Sequence, residues 1–194
     1  LAAPRKIQKV QHHRALPASQ MADFMKNLRG RPGIGARALE FAIYCAARSG
    51  EVRGAQWSEM DTESAIWRVP AERMKAKKEH RVPLSPSALA LLKSLPRGAD
   101  SDLVFASSKG SPLSDMTLTL LMRRMEVDAV PHGFRSTFRD WVGESTNYPR
   151  ELAEQALAHA LESKVEAAYR RGDALEKRRK MMVDWAKFCN RGGH

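Results

Sequence analysis

Pro131-His132-Gly133-Phe134-Arg135-Ser136-Thr137-Phe138-Arg139-Asp140-Trp141 reads as a helix with two chemically opposite faces. At about 100° per residue, His132, Arg135 and Arg139 fall together, while Phe134, Phe138 and Trp141 fall opposite. The aromatic face belongs to a core. The basic face then points at a cleft, a partner or plain solvent, and the helix by itself does not choose among these. A guanidinium offers a planar fork of donors suited to phosphate or carboxylate oxygens, and an imidazole can donate or shuttle a proton.

Working outward, the apolar pattern is mostly helical. Met21, Phe24, Met25 and Leu28 recur at helical spacing behind Ser19, which is placed to cap them. Gly30 to Gly35 interrupts, and a nearly all-apolar helix follows over about 36–47, as expected of a central core element. Gly33-x-Gly35-x-x-Ala38 follows a helix and not a strand, so it reads as a turn between helices and not as a dinucleotide-binding loop. Ile66-Trp67-Arg68-Val69 and His80-Arg81-Val82-Pro83-Leu84 alternate as strands, with Trp57 and its neighbours a candidate third. Ser85-Pro86 is a helix start, with a hydroxyl cap and proline at the first position. Asp102 to Phe105 reads as a short extended piece. Helical patterns then cover about 114–126, 132–144, 150–158, 163–170 and 173–189. The fold class is mainly α with a small antiparallel β-sheet (α+β). Residues 1–17 lack sustained periodicity and read as a linker to a missing N-terminal part, leaving 18–194 as one domain.

The chain has 194 residues, 43% of them hydrophobic, enough for a real core and against extended disorder. Thirty-three Lys and Arg against 22 Asp and Glu leave a formal charge of +11, which fits a polyanionic partner such as nucleic acid. Cys45 and Cys189 lie far apart in apolar helical patterns and read as small buried hydrophobes, neither a disulfide nor a zinc site. No apolar run reaches bilayer length.

Further residues carry possible chemistry. Arg48 closes the apolar helix, and Glu51 follows three positions later. Either the two form a structural ion pair, or Glu51 orients a guanidinium toward a bound phosphate. Lys75, Lys77 and Lys78 lie between the strands. The latter two read first as a solvated hairpin tip with a DNA contact as the alternative, whereas Lys75, nearest the preceding strand end, could reach a DNA groove. Leu157-x-His159 and Tyr169 complete the set. Ionising a tyrosine at neutral pH costs about 4 kcal/mol, so nucleophilic use of Tyr169 needs cationic help on the phosphate.

The ordered set Arg48-x-x-Glu51, Lys75 before His80-Arg81-Val82-Pro83-Leu84, His132-x-x-Arg135, Leu157-x-His159 and Tyr169 resembles the tyrosine recombinases (phage-type integrases) over about 20–189. The ending Ala168-Tyr169-Arg170-Arg171-Gly172-Asp173, with Met182 and Trp185, is similar to the branch found in prophages and genomic islands. The resemblance implies a catalytic-core fold and a two-step transesterification without metal, ATP or other cofactor. Tyr169 would attack the scissile phosphate to give a 3′-phosphotyrosine and release a 5′-hydroxyl. Arg48 and Arg135 would clamp the non-bridging oxygens, and His159 would add a donor. Lys75 would protonate the leaving oxygen, and His132 would act as acid/base or orienting group. Glu51 would support Arg48, and Lys77, Lys78 and Arg139 would contact DNA. The implied partners are double-stranded attachment sites, a homotetramer on DNA with a free monomer, and accessory DNA-bending proteins, in a bacterial cytoplasm at the nucleoid. The implied N-terminal neighbour is a core-binding domain. One departure is local: Ala46-Ala47 stands before Arg48 where the family more often has Thr-Gly.

A type IB topoisomerase shares this chemistry but ends differently. A catalytically idle DNA-binding module leaves the filled positions unexplained, and a metal-dependent nuclease lacks a carboxylate cluster at ligand spacing. The final helix, with its stripe of Leu175, Met182, Trp185 and Cys189, packs either on its own domain or on a neighbouring protomer.

Overall fold

Helix α2 (Ile34–Cys45) is walled in on every side, and the rest of the fold is arranged around it. Its Leu39, Phe41, Ile43 and Cys45 are buried, as the continuous apolar pattern requires. A computed structural model describes residues 14–97, 101–159 and 172–191. Against α2 pack α1 (Met21–Arg29), α3 (Ser49–Arg53), α4 (Pro86–Ser94), α5 (Thr117–Arg124) and α8 (Leu175–Asn190). Helices α6 (Gly133–Ser145) and α7 (Arg150–Ala156) pack on one another, and α7 also touches α8.

Strands β1 (Met60–Asp61), β2 (Ile66–Val69) and β3 (His80–Pro83) form an antiparallel sheet in that order, with Trp67 opposite Val82 and Arg68 opposite Arg81. Ile66, Trp67, Val69 and Val82 are buried, and Trp67 packs on Phe41 of α2. The third strand therefore lies just beyond Trp57, which itself sits in a 3-10 turn, Trp57–Glu59. The extended piece near Asp102 appears as a single bridge between Gln56 and Leu103.

Helix starts show both agreement and correction. Ser85 caps α4 as expected, its Oγ accepting from the Ala88 amide at 3.2 Å, with Pro86 as the first helical residue. Ser19 caps nothing: it lies inside a 3-10 turn, Ala18–Gln20, and Gln20 precedes α1 without a side-chain cap bond. The turn continues directly into α1, so the amides that a cap would satisfy are used by the turn.

Helix α8 packs in cis. Met181, Met182, Trp185 and Cys189 are all buried, and the Trp185 indole donates to the Ile43 carbonyl at 2.8 Å. Trp141, Phe138 and Phe188 close around Trp185 with ring centroids 5.1–5.8 Å away. Leu175 is the partly exposed end of the stripe. Cys45 and Cys189 are free and buried, and burial pushes both thiols up.

Arg14 to Pro17 lie against α6: the Arg14 carbonyl accepts from Val130 and the Leu16 carbonyl from Thr137 Oγ1 at 2.6 Å. A Cβ at position 133 would collide with the Arg14 carbonyl oxygen and the Ala15 Cα, so this crossing requires glycine there. The expected helix over 163–170 lies outside the described residues.

Candidate active site

Two helix C-termini build the site. Helix α2 ends at Ala46, which takes the left-handed conformation at φ 49°, and α7 ends in a turn whose Ala158 does the same at φ 48°. Left-handed backbone costs an alanine roughly 1–2 kcal/mol. It turns each chain sharply and leaves helix-end carbonyls facing inward.

Arg135 of α6 reaches both ends. Its Nη1 donates to the Ala46 carbonyl and its Nη2 to the Leu157 carbonyl, each at 2.6 Å. The side chain is buried, and its Nε has no hydrogen-bond partner among the described residues. Burial, then the neighbouring Arg48 charge, pushes the guanidinium down to about 10, partly offset by Glu51 and Glu154. The expectation that Arg135 shares an open face with His132 and Arg139 is therefore corrected. His132 and Arg139 are exposed, but α7 covers the Arg135 position between them.

Arg48 follows α2 and opens α3, so it begins a helix rather than closing one. Glu51 grips it twice: Oε2 accepts from the Arg48 amide at 2.9 Å and Oε1 from Nη1 at 2.7 Å. Only 7% of the Glu51 side chain and 24% of the Arg48 side chain is exposed, which leaves Arg48 an open edge. Arg48 Nη2 leans toward the Leu157 and Ala158 carbonyls at 3.4 and 3.5 Å. The Arg48–Glu51 pair is the ion pair of the first reading, and the other side of the guanidinium faces the carbonyls at the α7 end.

His159 completes the cluster. Its Nε2 is 3.1 Å from Arg135 Nη2, and its Nδ1 is 2.5 Å from Glu154 Oε2. Glu154 also ion-pairs with Arg139, Nε to Oε1 2.8 Å. Two guanidiniums thus converge beside an imidazole, held by carbonyls and two carboxylates. Such a concentration of donors is suited to an anion.

The lysines stand apart. Lys75, Lys77 and Lys78 are exposed, and among the described residues no hydrogen bond or ion pair joins them to the cluster. Lys75 is the nearest of the three to the end of β2, as expected, but not adjacent to it. A 3-10 turn, Ala71–Arg73, intervenes. Arg73 anchors that turn: Nη1 donates to the Glu51 carbonyl at 2.9 Å, and Nη2 pairs with Glu59, which also accepts from the Trp67 indole. A Cβ on Gly54 would stand 2.9 Å from Arg73 Nη1, so glycine makes room for this anchor. Tyr169 lies outside the described residues.

Sequence reasoning missed Glu154, Arg73, His80 and the Asp173 group. The His80 Nε2 donates to the Ala156 carbonyl at 3.2 Å, and burial, then the Arg178 charge, holds its imidazole down to about 4. Asp173 takes a two-point grip from Arg81 at 2.8 and 2.6 Å and a third bond from buried Arg178 at 2.9 Å. Burial raises the Asp173 carboxyl, but the two guanidiniums outweigh it and the net direction is down. Helical spacing could suggest none of these, because each partner comes from a different element.

The phage integrase family model matches residues 14–176. The integrase of enterobacteria phage P4 is 33% identical over 94% of this chain and 46% of its own length. Prophage integrase IntA of Escherichia coli K12 is 36% identical over 72% of this chain and 35% of its own. The chain spans about half the length, or less, of these curated relatives. The fold is similar to XerA recombinase, with TM-score 0.62 and 16% identity over 90% of this chain and 64% of that one. It is also similar to a lambda integrase dimer bound to a COC′ core site, with TM-score 0.58 and 21% identity over 86% and 61%. With a relative one-third identical along nearly its whole length and the family model covering its clamp residues, this chain belongs to the phage integrase family.

Proposed function

We propose that the chain is the catalytic domain of a site-specific DNA recombinase that cuts and rejoins strands through a 3′-phosphotyrosine, for integration or excision of a mobile element. The meeting of Arg48 and Arg135 at the Leu157 carbonyl, with His159 against Arg135, carries this reading. A scissile phosphate against this cluster would take donors from both guanidiniums as charge builds on its non-bridging oxygens. Tyr169 Oη attacks phosphorus, its proton passing to a base for which His132 is the candidate. The bond to the 5′-oxygen breaks, and Lys75 protonates that oxygen. A 5′-hydroxyl from the partner duplex then attacks the phosphotyrosine and releases Tyr169. The number of phosphodiester-type bonds is unchanged, so no external energy source enters.

The relatives support the partners. Lambda integrase has been solved as a dimer on a core site and as a tetramer on a Holliday junction. We assign this chain double-stranded attachment sites and a tetramer on DNA, with Lys77, Lys78 and Arg139 contacting the backbone. Accessory bending proteins and a nucleoid location in the cytoplasm belong to the same proposal. Among the described residues, no helix is long and apolar enough to cross a membrane.

The test is a nicked duplex carrying the attachment core, incubated with the protein in EDTA and run on a denaturing gel. A covalent protein–DNA band that Tyr169→Phe abolishes supports the proposal. A band surviving in Tyr169→Phe overturns Tyr169 as the nucleophile, and no band from either this chain or a longer one with the N-terminal part of its relatives overturns the proposal in favour of a DNA-binding module.

A further inference from the structure

Glu154 belongs to no motif read from the sequence, yet it touches the ring that faces Arg135. The proton positions on His159 follow from its two neighbours. Arg135 Nη2, 3.1 Å from Nε2, can only donate, so Nε2 is the accepting nitrogen. The ring proton is then on Nδ1, 2.5 Å from Glu154 Oε2. The other Glu154 oxygen, Oε1, makes ion pairs without a hydrogen bond among the described residues, 2.8 Å from Arg139 Nε on α6 and 3.8 Å from Arg150 Nε one turn back on α7. The carboxylate is 18% exposed and the imidazole 38%, so the pair lies at the edge of the clamp, with the ring reachable from solvent.

This arrangement is at odds with a His159 that donates to phosphate. As an acceptor, Nε2 presents a lone pair, and a phosphate oxygen would be repelled by it. The ring can donate from Nε2 only after taking a second proton, and an imidazolium between Arg135 and Arg48 needs a compensating anion. Glu154 is in place to be that anion.

We infer that Glu154 is a positioning residue for strand cleavage, holding His159 by Nδ1 and balancing its charge so that Nε2 turns from acceptor for Arg135 into donor for the scissile phosphate. The inference rests on the recombinase reading above. On DNA binding, the Arg135 Nη2 hydrogen leaves Nε2 for a phosphate oxygen, and Nε2 takes a proton from solvent. No bond to phosphorus changes in this step. The charged groups around the ring are Glu154, Arg135 and Arg139, with Arg48 and Glu51 beyond the Ala158 turn and Arg150 on the outer side. The arginines oppose the second proton, while Glu154 and the arriving phosphate favour it. A carboxylate that fixes the tautomer of a histidine and stabilises its charged form is a known division of labour in hydrolytic triads.

Two measurements test this. The first is the ¹⁵N imidazole spectrum of the free protein, assigned with His159→Gln. It is expected to show His159 protonated at Nδ1, and a ring protonated at Nε2 alone overturns the inference whatever the protein does to DNA. The second is the pH profile of covalent-band formation on the nicked duplex. Glu154→Gln should move its alkaline side to lower pH, because the compensating anion is gone. Glu154→Asp, which keeps the charge, should restore most of the profile, and Glu154→Gln should cost nothing further in a His159→Gln background. A loss by one constant factor at every pH, equally large without His159, would make Glu154 merely a prop for Arg139 and overturn the inference. If neither this chain nor the longer one forms a band at any pH while the spectrum shows the Nδ1 tautomer, the recombinase reading has failed and the cleavage role falls with it, leaving only the pairing.

Discussion

The two helix ends that hold Arg135 are alike in backbone and opposite in support. Each closes on a left-handed alanine, Ala46 or Ala158, and each gives a carbonyl to the same guanidinium at 2.6 Å. Each also has a ring nitrogen bracing the helix just before the turn. At the α2 end the Trp185 indole donates to the Ile43 carbonyl, and at the α7 end the His80 imidazole donates to the Ala156 carbonyl. The indole N–H does not titrate between acid and neutral pH; the imidazole does, held down to about 4 in the folded protein. One wall of the clamp is thus indifferent to acid and deeply buried, while the other depends on a histidine kept neutral by its surroundings and ends at the exposed His159. If the cluster holds a phosphate as proposed, its cations need fixing before the anion arrives, and only the α2 end has a brace that acid leaves alone.

Replacing Trp185 with alanine is the harshest way to break the comparison. It removes an indole buried among Phe138, Trp141 and Phe188 together with the brace on α2, and should cost about 3–5 kcal/mol in urea denaturation. A loss under about 1 kcal/mol would mean that the α2 end is not the rigid one. Ending the chain after Gly172 should be still more damaging to folding, since α8 fills its own core.

Arg135→Lys keeps the charge but cannot span both carbonyls. Covalent-band formation should slow by roughly a hundredfold or more, about 3 kcal/mol in activation free energy. Near-normal cleavage by the lysine variant would show that charge alone suffices and that the bridging of the two ends is incidental.

Acidification separates the two braces. The folded His80 value, about 4, lies below the ordinary 6.5, so the unfolded chain binds the extra proton first. Stability should therefore be complete above the unfolded value and fall as pH drops from about 6.5 toward about 4, by on the order of 2–3 kcal/mol. His80→Gln should flatten that part of a melting-temperature profile, and a slope that survives would assign it to other groups.

The smallest effects concern the alanines. Ala46→Gly and Ala158→Gly should each raise stability by up to about 1 kcal/mol in thermal melts, because glycine adopts the left-handed turn without strain. Their effects on cleavage should differ. Ala158→Gly should slow it, since that single residue joins the Leu157 carbonyl to His159, whereas Ala46→Gly should leave it near wild type.

The elements themselves were largely legible. The apolar stripe of Phe134, Phe138 and Trp141, the alternation around Trp67 and Val82, and Ser85-Pro86 each follow from local periodicity or capping, and all three stand in the structure. What local pattern could not give was the company each residue keeps. The wheel grouped Arg135 with exposed His132 and Arg139, but it could not place the α7 end over the middle one of the three. Glu154 and His159 are five residues apart, a spacing no regular helix brings face to face; the turn at Ala158 does so. Ala46 before Arg48 reads as an ordinary helical alanine, yet it occupies the left-handed conformation that glycine favours.

Gly133 joins the entry of the described chain to its chemistry. The Arg14 and Ala15 backbone lies across the first turn of α6, so closely that no side chain fits between, and Arg135 begins two residues later. Any load pulling on the peptide ahead of Arg14 therefore arrives first at the helix that aims the guanidinium. Position 133 is thus a point of direct transmission, through which a pull on the entering backbone would reach the Arg135 helix.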